Sequence, residues 1–340
     1  MVSASDNPPE VTVLVAVRDG ALHLPATLGS LRKLRGVEAE ILVVDDGSTD
    51  GTPALLAAAA SLDPRFRILR QPALGLVAAL NAGLAAARAP WIARLDADDV
   101  LHPLRVRRQL DRARAQGLAV VGTGVRCFPT QRIAGGLRRY EAWQNGLCTH
   151  TELARARFIE SPLVHPSVLF DRAAVLAVGG YQDRGWPEDY DLWLRLFAAG
   201  ARFGKVPEPL TFWRDHPHRL TRTAAHCQAA AVRACKVHHL RAGPLAQATG
   251  VWIAGTGREG RALARALVEV GVRVVGWVDV SPRRIGGWLL GWPVVGPAGF
   301  RPGVGEVVLA AVGAAGRRAQ VQAWLGACGL VEGEQAWCVA

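Results

Sequence analysis

Residues 91–99 read WIARLDADD, an apolar run closing on three carboxylates, Asp96, Asp98 and Asp99. The run has the character of a buried strand. A strand end is a poor place for stacked negative charge, because like charges a few ångströms apart repel and raise one another's pKa. The stretch therefore asks for a cation, and the segments around it say what kind of sheet presents it.

Working outward, short β-branched runs alternate with segments of helical period. VTVLVAV (11–17) reads as a strand, and Leu24, Leu28 and Leu31 then recur on one helix face. AEILVVDD (39–46) is the next strand, followed by the helix TPALLAAAASL (52–62), where Thr52 is expected to cap and Pro53 suits the first turn. FRIL (66–69), GLVAALNAGLAAARA (75–89), WIARL, the arginine-rich PLRVRRQLDRARAQ (103–116) and LAVVGTGV (118–125) continue the alternation. That pattern predicts an α/β fold with a mostly parallel sheet between helices. A second acidic pair, Asp45 and Asp46 in DDGSTD, also falls at the carboxyl end of its strand. Ligands of open α/β sheets bind along that edge. The competing reading is that Asp, Gly and Ser are turn formers and helix caps, and for Asp45 and Asp19 it stays open.

Composition bounds the function. A chain of 340 residues with 50% hydrophobic content can bury a real core and has room for two domains. A net charge of +11 favours anionic company such as nucleotides or phosphorylated substrates. No RNP, zinc-finger or helix-turn-helix signature is present, so no nucleic-acid partner is expected, and the basic helix 103–116 is read as a solvated face. The six cysteines are scattered and form no CxxC pair, which argues against a disulfide framework or zinc site. No run approaches the roughly 18–20 apolar residues of a membrane span, and MVSASDNPPE lacks the regions of a signal peptide, so the expected compartment is the cytoplasm.

VAVRDG (15–20), VVDDGSTDGT (43–52), GLVAALNAGL (75–84), ARLDADD (93–99), GWPEDYDLWLRL (185–196) and FWRDHPHRLTR (212–222) together resemble the inverting family 2 glycosyltransferases of GT-A fold. The resemblance covers about the first 220 residues. It implies a nucleoside-diphosphate-sugar donor, UDP foremost, a saccharide, lipid-linked or other hydroxyl acceptor, and a divalent metal, Mn2+ or Mg2+. By it, Asp96 reaches the donor ribose or a metal-bound water, Asp98 contacts the metal, and His216 touches metal or phosphate with Arg214 neutralising charge. Asp46 would accept from the donor base, with Asp19 and Arg70 near that pocket. The general base would be Asp189, with Glu188 supporting the acceptor; Asp191 is a third carboxylate in the same turn. Acidic residues after Pro187 also suit a helix N-terminus for dipole reasons alone, and both readings can hold. The implied setting is bacterial envelope or exopolysaccharide synthesis, a lipid-linked acceptor being met by peripheral, electrostatic contact at the inner membrane face. His165, in LVHPSVLF, is read as a core or turn histidine.

After residue 222 comes an alanine-rich connector, expected over 223–249, and the strand–helix alternation restarts. VWIAGTGREGRALARALVEVGVRVVGWVDV (251–280) carries Gly255-x-Gly257-x-x-Gly260, with Asp279 ending the following strand. With GWPVVGP (291–297) this segment resembles the small Rossmann-like domain of PglD-type sugar O-acyltransferases. Domains are thus expected at 9–222 and 250–340, the latter holding either a second nucleotide at Gly255, Gly257, Gly260 and Asp279 or no ligand at all. A non-catalytic sugar-nucleotide sensor remains an alternative; an NAD-dependent oxidoreductase would rest on these glycines alone and leave both acidic clusters idle.

Overall fold

β1 (Val11–Val17) and β2 (Ala39–Asp46) are buried along their whole length, as continuous apolar strands covered on both faces must be. They belong to a computed structural model that describes residues 8–313 and 316–340. Side chains alternate: Val13 and Val15 face one core with Leu24, Leu28 and Leu31 of α1 (Leu24–Arg32), while Leu14 and Ala16 face another with Leu80 and Leu84 of α3 (Leu76–Ala86). Each such fully buried side chain contributes about 1.5–3 kcal/mol. Between them lie α2 (Thr52–Leu62) and β3 (Phe66–Gln71).

The chain continues through β4 (Trp91–Arg94), β5 (Val100–Leu101), α4 (Arg105–Gln116), β6 (Val120–Phe128), α5 (Gly135–Asn145), α6 (His150–Ala156), β7 (Leu169–Asp171), α7 (Arg172–Ala177), α8 (Glu188–Ala198), β8 (Phe203–Arg214) and α9 (Leu220–Thr223). The eight strands form one sheet in the order β3-β2-β1-β4-β7-β6-β8-β5. β1 to β4 are parallel, β7 runs antiparallel to both neighbours, and β6 and β8 are parallel again. The chain turns from β1 to β2 on one side and reaches β4 on the other, so a switch point opens at the carboxyl ends of β1 and β4.

Two local expectations are corrected. Thr52 does not cap α2; Gly51 is the N-cap, Asp50 Oδ1 accepts from Thr52 N at 2.9 Å, and the Thr52 hydroxyl accepts from Gly20 N at 2.9 Å. Nor is α4 a purely solvated basic face: Arg107, Arg108 and Arg114 are exposed, but Arg105 is fully buried and donates to the Arg94 carbonyl at 2.7 Å.

The described chain separates into two compact units. The first takes in residues up to Leu153, Pro162–Arg184 and Glu188–Thr223; the second takes in Ala154–Ser161, Gly185–Pro187 and Ala224–Ala340. The second holds α10 (Ala229–Ala242), β9 (Gly250–Ala254), α11 (Arg258–Glu269), β10 (Val274–Val278), β11 (Trp288–Leu289), β12 (Trp292–Val295), β13 (Glu306–Ala310), α12 (Arg317–Ala327) and β14 (Ala336–Cys338). Its sheet has the order β11-β12-β10-β9-β13-β14 and is parallel except at β11. No helix among the described residues is long and apolar enough to cross a membrane.

Candidate active site

The turn after β4 is held from three sides. Leu95 N donates to Leu14 O at 3.2 Å, continuing the β1 pairing, and the Thr27 hydroxyl on α1 lies 2.8 Å from both the Ala97 and Asp99 carbonyls. From the end of β8, Arg214 donates its backbone N–H to Asp99 Oδ1 at 2.7 Å and its Nε to the Asp98 carbonyl at 2.6 Å. The Arg214 guanidinium also stacks over Phe128, 4.5 Å from the ring centroid. His216, two residues on, sets Nε2 2.7 Å from Asp98 Oδ2.

So fixed, Asp96, Asp98 and Asp99 each bring an oxygen within 4.8 Å of the others. Asp99 is almost fully buried; burial first, then the charges of Asp98 and Asp96, push its carboxyl well above the usual range. Its Oδ2 has no hydrogen-bond partner among the described residues. Asp96 is also raised, by burial in the cleft and by Asp98, against the pull of Arg94. The cation the sequence asks for is thus partly internal: Arg94, 1% exposed, puts Nη2 2.6 Å from Asp96 Oδ1. Arg105 and Arg219 also act on the cluster, yet Asp96 and Asp99 stay raised against all this positive charge. Crowded hard oxygen donors with an orphaned buried oxygen and one imidazole nitrogen fit a divalent hard cation.

α8 brings a second group of carboxylates in its first turn, Glu188, Asp189 and Asp191. Asp189 Oδ1 accepts from Tyr190 N at 2.7 Å, and burial, then the Glu188 charge, with Asp96 also contributing, raise Asp189 to about 8. The charge of Asp96 thus reaches Asp189 from the other carboxylate group. Asp191, the third carboxylate of the turn, is fully buried and ion-paired with Arg195 at 2.7 Å, a structural task.

At the other end of the edge, the loops after β1, β2 and β3 tie to one another. Asp19, at φ +50, accepts from Thr49 N at 2.8 Å, and its own N–H donates to Ser48 Oγ at 2.9 Å. Gly47, at φ +73, lies against Ala73 N, where a Cβ would come within 2.7 Å. Asp46 is nearly buried and accepts from Leu74 N, Gly75 N and Gln71 Nε2 at 2.9, 2.9 and 2.7 Å. Arg70 lies 3.2 Å from Asp45 Oδ2 rather than against Asp46. The structure brings Asp19, Asp46 and Arg70 to one mouth, with much of their bonding spent on the loops.

Sequence reasoning missed Arg94 as a partner, His23 and Arg219. An arginine inside an apolar strand, directly before three carboxylates, is itself the signal for Arg94. His23 packs its ring 4.8 Å from that of His216, and burial, Arg214 and His216 lower its pKa against Asp98. Arg219 is buried over Trp213, 4.0 Å from its centroid, and its charge acts on Asp96 and Asp99.

The glycine motif lies in the second unit. Gly255 has φ +107, and a Cβ there would come 2.9 Å from Val312; one on Gly260 would come 2.0 Å from the Gly255 carbonyl. Gly257 has nothing within 4 Å of a Cβ. Asp279 accepts from Thr256 N at 3.1 Å, from the Thr256 hydroxyl and from Ser281 N at 2.8 Å, with Arg284 3.4 Å away. Burial would raise its pKa, but these bonds and the guanidinium hold it below the usual carboxylate range.

Residues 12–177 match the family model Glycosyl transferase family 2. A succinoglycan biosynthesis protein, ExoO of Rhizobium meliloti, is 43% identical over 118 residues, 34% of this chain and 33% of its own length. The chain thus spans a third of that relative. The Escherichia coli UDP-Gal:alpha-D-GlcNAc-diphosphoundecaprenol beta-1,3-galactosyltransferase is 27% identical over 219 residues, 62% of this chain and 76% of its own length. The structure of S. aureus TarS 1–349 in complex with UDP-GlcNAc superposes with a TM-score of 0.55 at 12% identity, over 76% of this chain and 71% of that one. The fold is the GT-A fold that the motif resemblance implies. The match to the family 2 model covers residues 12–177, and a second, smaller α/β sheet follows.

Proposed function

We propose that this chain is a metal-dependent, inverting glycosyltransferase that moves a sugar from a nucleoside diphosphate, UDP foremost, to a hydroxyl of a saccharide or lipid-linked acceptor in bacterial exopolysaccharide or envelope synthesis. The observation that carries the reading is the electrostatic link between two carboxylate groups: the crowded Asp96, Asp98 and Asp99, and Asp189, raised to about 8 with Asp96 contributing. A general base serves best with a pKa near the working pH. The family match and the galactosyltransferase relative support the donor and acceptor classes.

Asp98 and His216 would hold the divalent cation, with Asp96 beside the ribose; the cation would supply charge stabilisation for the departing diphosphate. Arg214 keeps its terminal nitrogens for the same phosphates, and the mouth of Asp19, Asp46 and Arg70 receives the base, Asp46 Oδ2 having taken only one bond. Asp189 takes the acceptor proton as the acceptor oxygen bonds to the anomeric carbon and the bond to diphosphate breaks on the opposite face. A cation held beside Asp96 would offset one of the charges that hold Asp189 up and so would favour the ionised base. The net charge of +11 supports a cytoplasmic protein that meets an anionic membrane surface peripherally.

The test is a thermal-shift panel of UDP, GDP, dTDP and CDP, each with and without Mn2+. A manganese-dependent rise with one diphosphate is the expected result, since ligands of the folded state raise Tm by mass action. No rise with any of them overturns the reading.

A further inference from the structure

Behind the acceptor-side carboxylates lies a polar pair that the transfer step does not use. His165 is buried, in a single helical turn over His165–Ser167. Its Nε2 lies 2.8 Å from the Tyr181 hydroxyl, and its Nδ1 lies 3.8 Å from Glu188 Oε1 at the start of α8. Trp193, farther along α8, meets the imidazole edge-on at 6.0 Å, so the ring braces this helix at two points. Tyr181 is equally fixed. Asn81 of α3 grips both its backbone groups, donating to Tyr181 O at 2.9 Å and accepting from Tyr181 N at 3.0 Å. α3 in turn starts at the loop whose Gly75 N–H donates to Asp46.

Burial, and secondarily the charge of Arg94, keeps His165 neutral, so it carries one N–H. Burial likewise keeps the Tyr181 phenol protonated and able to donate. If the phenol donates to Nε2, the imidazole proton sits on Nδ1 and faces a carboxylate; the other tautomer turns a lone pair toward Glu188. The first arrangement is the favourable one. A gap of 3.8 Å is too long for a hydrogen bond in the free protein and can close as substrate seats the helix end.

We propose that Tyr181 and His165 are positioning residues for the acceptor site, the Tyr181 hydroxyl fixing the imidazole tautomer that offers Nδ1–H to Glu188 and so keeps the Glu188 carboxylate aimed beside Asp189. This rests on the reading of Asp189 as the base. Asp189 then owes part of its strength as a base to its neighbour's charge, with Asp96 and Arg94 completing the charged groups that face this pair.

Tyr181→Phe removes one oxygen and tests it. The readouts are 13C-carboxyl NMR titration of Asp189, identified by its loss in Asp189→Asn, and the thermal shift with UDP and Mn2+. With the Glu188 carboxylate no longer held beside it, the Asp189 midpoint should fall by about one pH unit, equivalent to roughly tenfold in its proton equilibrium. The UDP shift should be unchanged. His165→Gln, which keeps an N–H donor, should hold the midpoint nearer wild type than His165→Leu. An Asp189 titration identical in wild type and Tyr181→Phe overturns the proposal. Absence of any UDP shift in the wild type sinks the transferase reading instead, and the titration still decides the role of the pair.

Discussion

The strand ends after β4 and β10 both present carboxylates, and they differ in what the chain itself offers them. After β4, three acids converge on one another, and Asp96 and Asp99 are raised above the usual range. After β10, Asp279 is met by the Thr256 hydroxyl, two backbone N–H groups and Arg284, and is lowered. Both motifs look like ligand sites in sequence. Only the first leaves a charge demand that an outside cation would meet; the second is already neutralised by its own surroundings.

The comparison breaks most completely at Asp98. Asp98→Ala should abolish the manganese-dependent rise in Tm with UDP, an effect worth about 2.7 kcal/mol at a hundredfold excess over Kd. Asp279→Ala, measured alongside, should leave that rise intact. If Mn2+ still raises Tm with UDP in Asp98→Ala as it does in the wild type, the His216–Asp98 contact is structural and the metal lies elsewhere.

Asp189→Asn comes next in size. It should bind UDP as the wild type does while turnover falls by about 10²-fold or more, the usual cost of a lost general base. Released diphosphate, assayed over a panel of UDP-sugars, is the measure. Turnover equal to wild type would return Asp189 to the role of helix N-terminal residue, and binding without turnover in both proteins would favour a sensor.

Most of the strand-and-helix order was legible because periodicity and burial agree: β1, β2, α2 and α3 fall where apolar spacing puts them. The family 2 match over residues 12–177 and the shared GT-A fold agree with the motif resemblance across the first 220 residues. What escaped was the pairing of polar groups distant in sequence. Arg105 sits in a helix of polar, basic composition, and nothing local says that its guanidinium turns inward to the Arg94 carbonyl. The Tyr181–His165–Glu188 contact joins three segments through side chains alone. Such contacts are set by tertiary packing, to which residue spacing along the chain is blind.

The glycines sharpen the same comparison at a smaller scale. Gly255→Ala forces a Cβ into a left-handed backbone and against Val312, and Gly260→Ala meets the Gly255 carbonyl, so each should cost about 1–3 kcal/mol in denaturant unfolding. Gly257→Ala has open space and should stay within about 0.5 kcal/mol. That split fits a tight strand–helix turn. NAD or UDP stabilising the wild type but not Gly257→Ala would instead assign Gly257 to close approach of a phosphate.

The smallest expected effect separates the two carboxylates by sign. Asp189 is raised from 3.8 to about 8, so its acid form is favoured by folding. Its stabilisation is full below the unfolded value and is lost as pH rises through the window between those two values. Asp279 is lowered, so its contribution is present above the unfolded value and is lost only as pH falls through its folded one. Between about pH 5 and pH 8, metal-free wild type should therefore lose Tm that Asp189→Asn keeps. Asp279→Asn should shift Tm by the same amount at both pH values, since Asp279 is ionised in folded and unfolded chains alike across that range. Superimposable pH profiles for wild type and Asp189→Asn would mean that the carboxyl facing Asp96 is not raised, and the contrast between the two strand ends would rest on Asp96 and Asp99 alone.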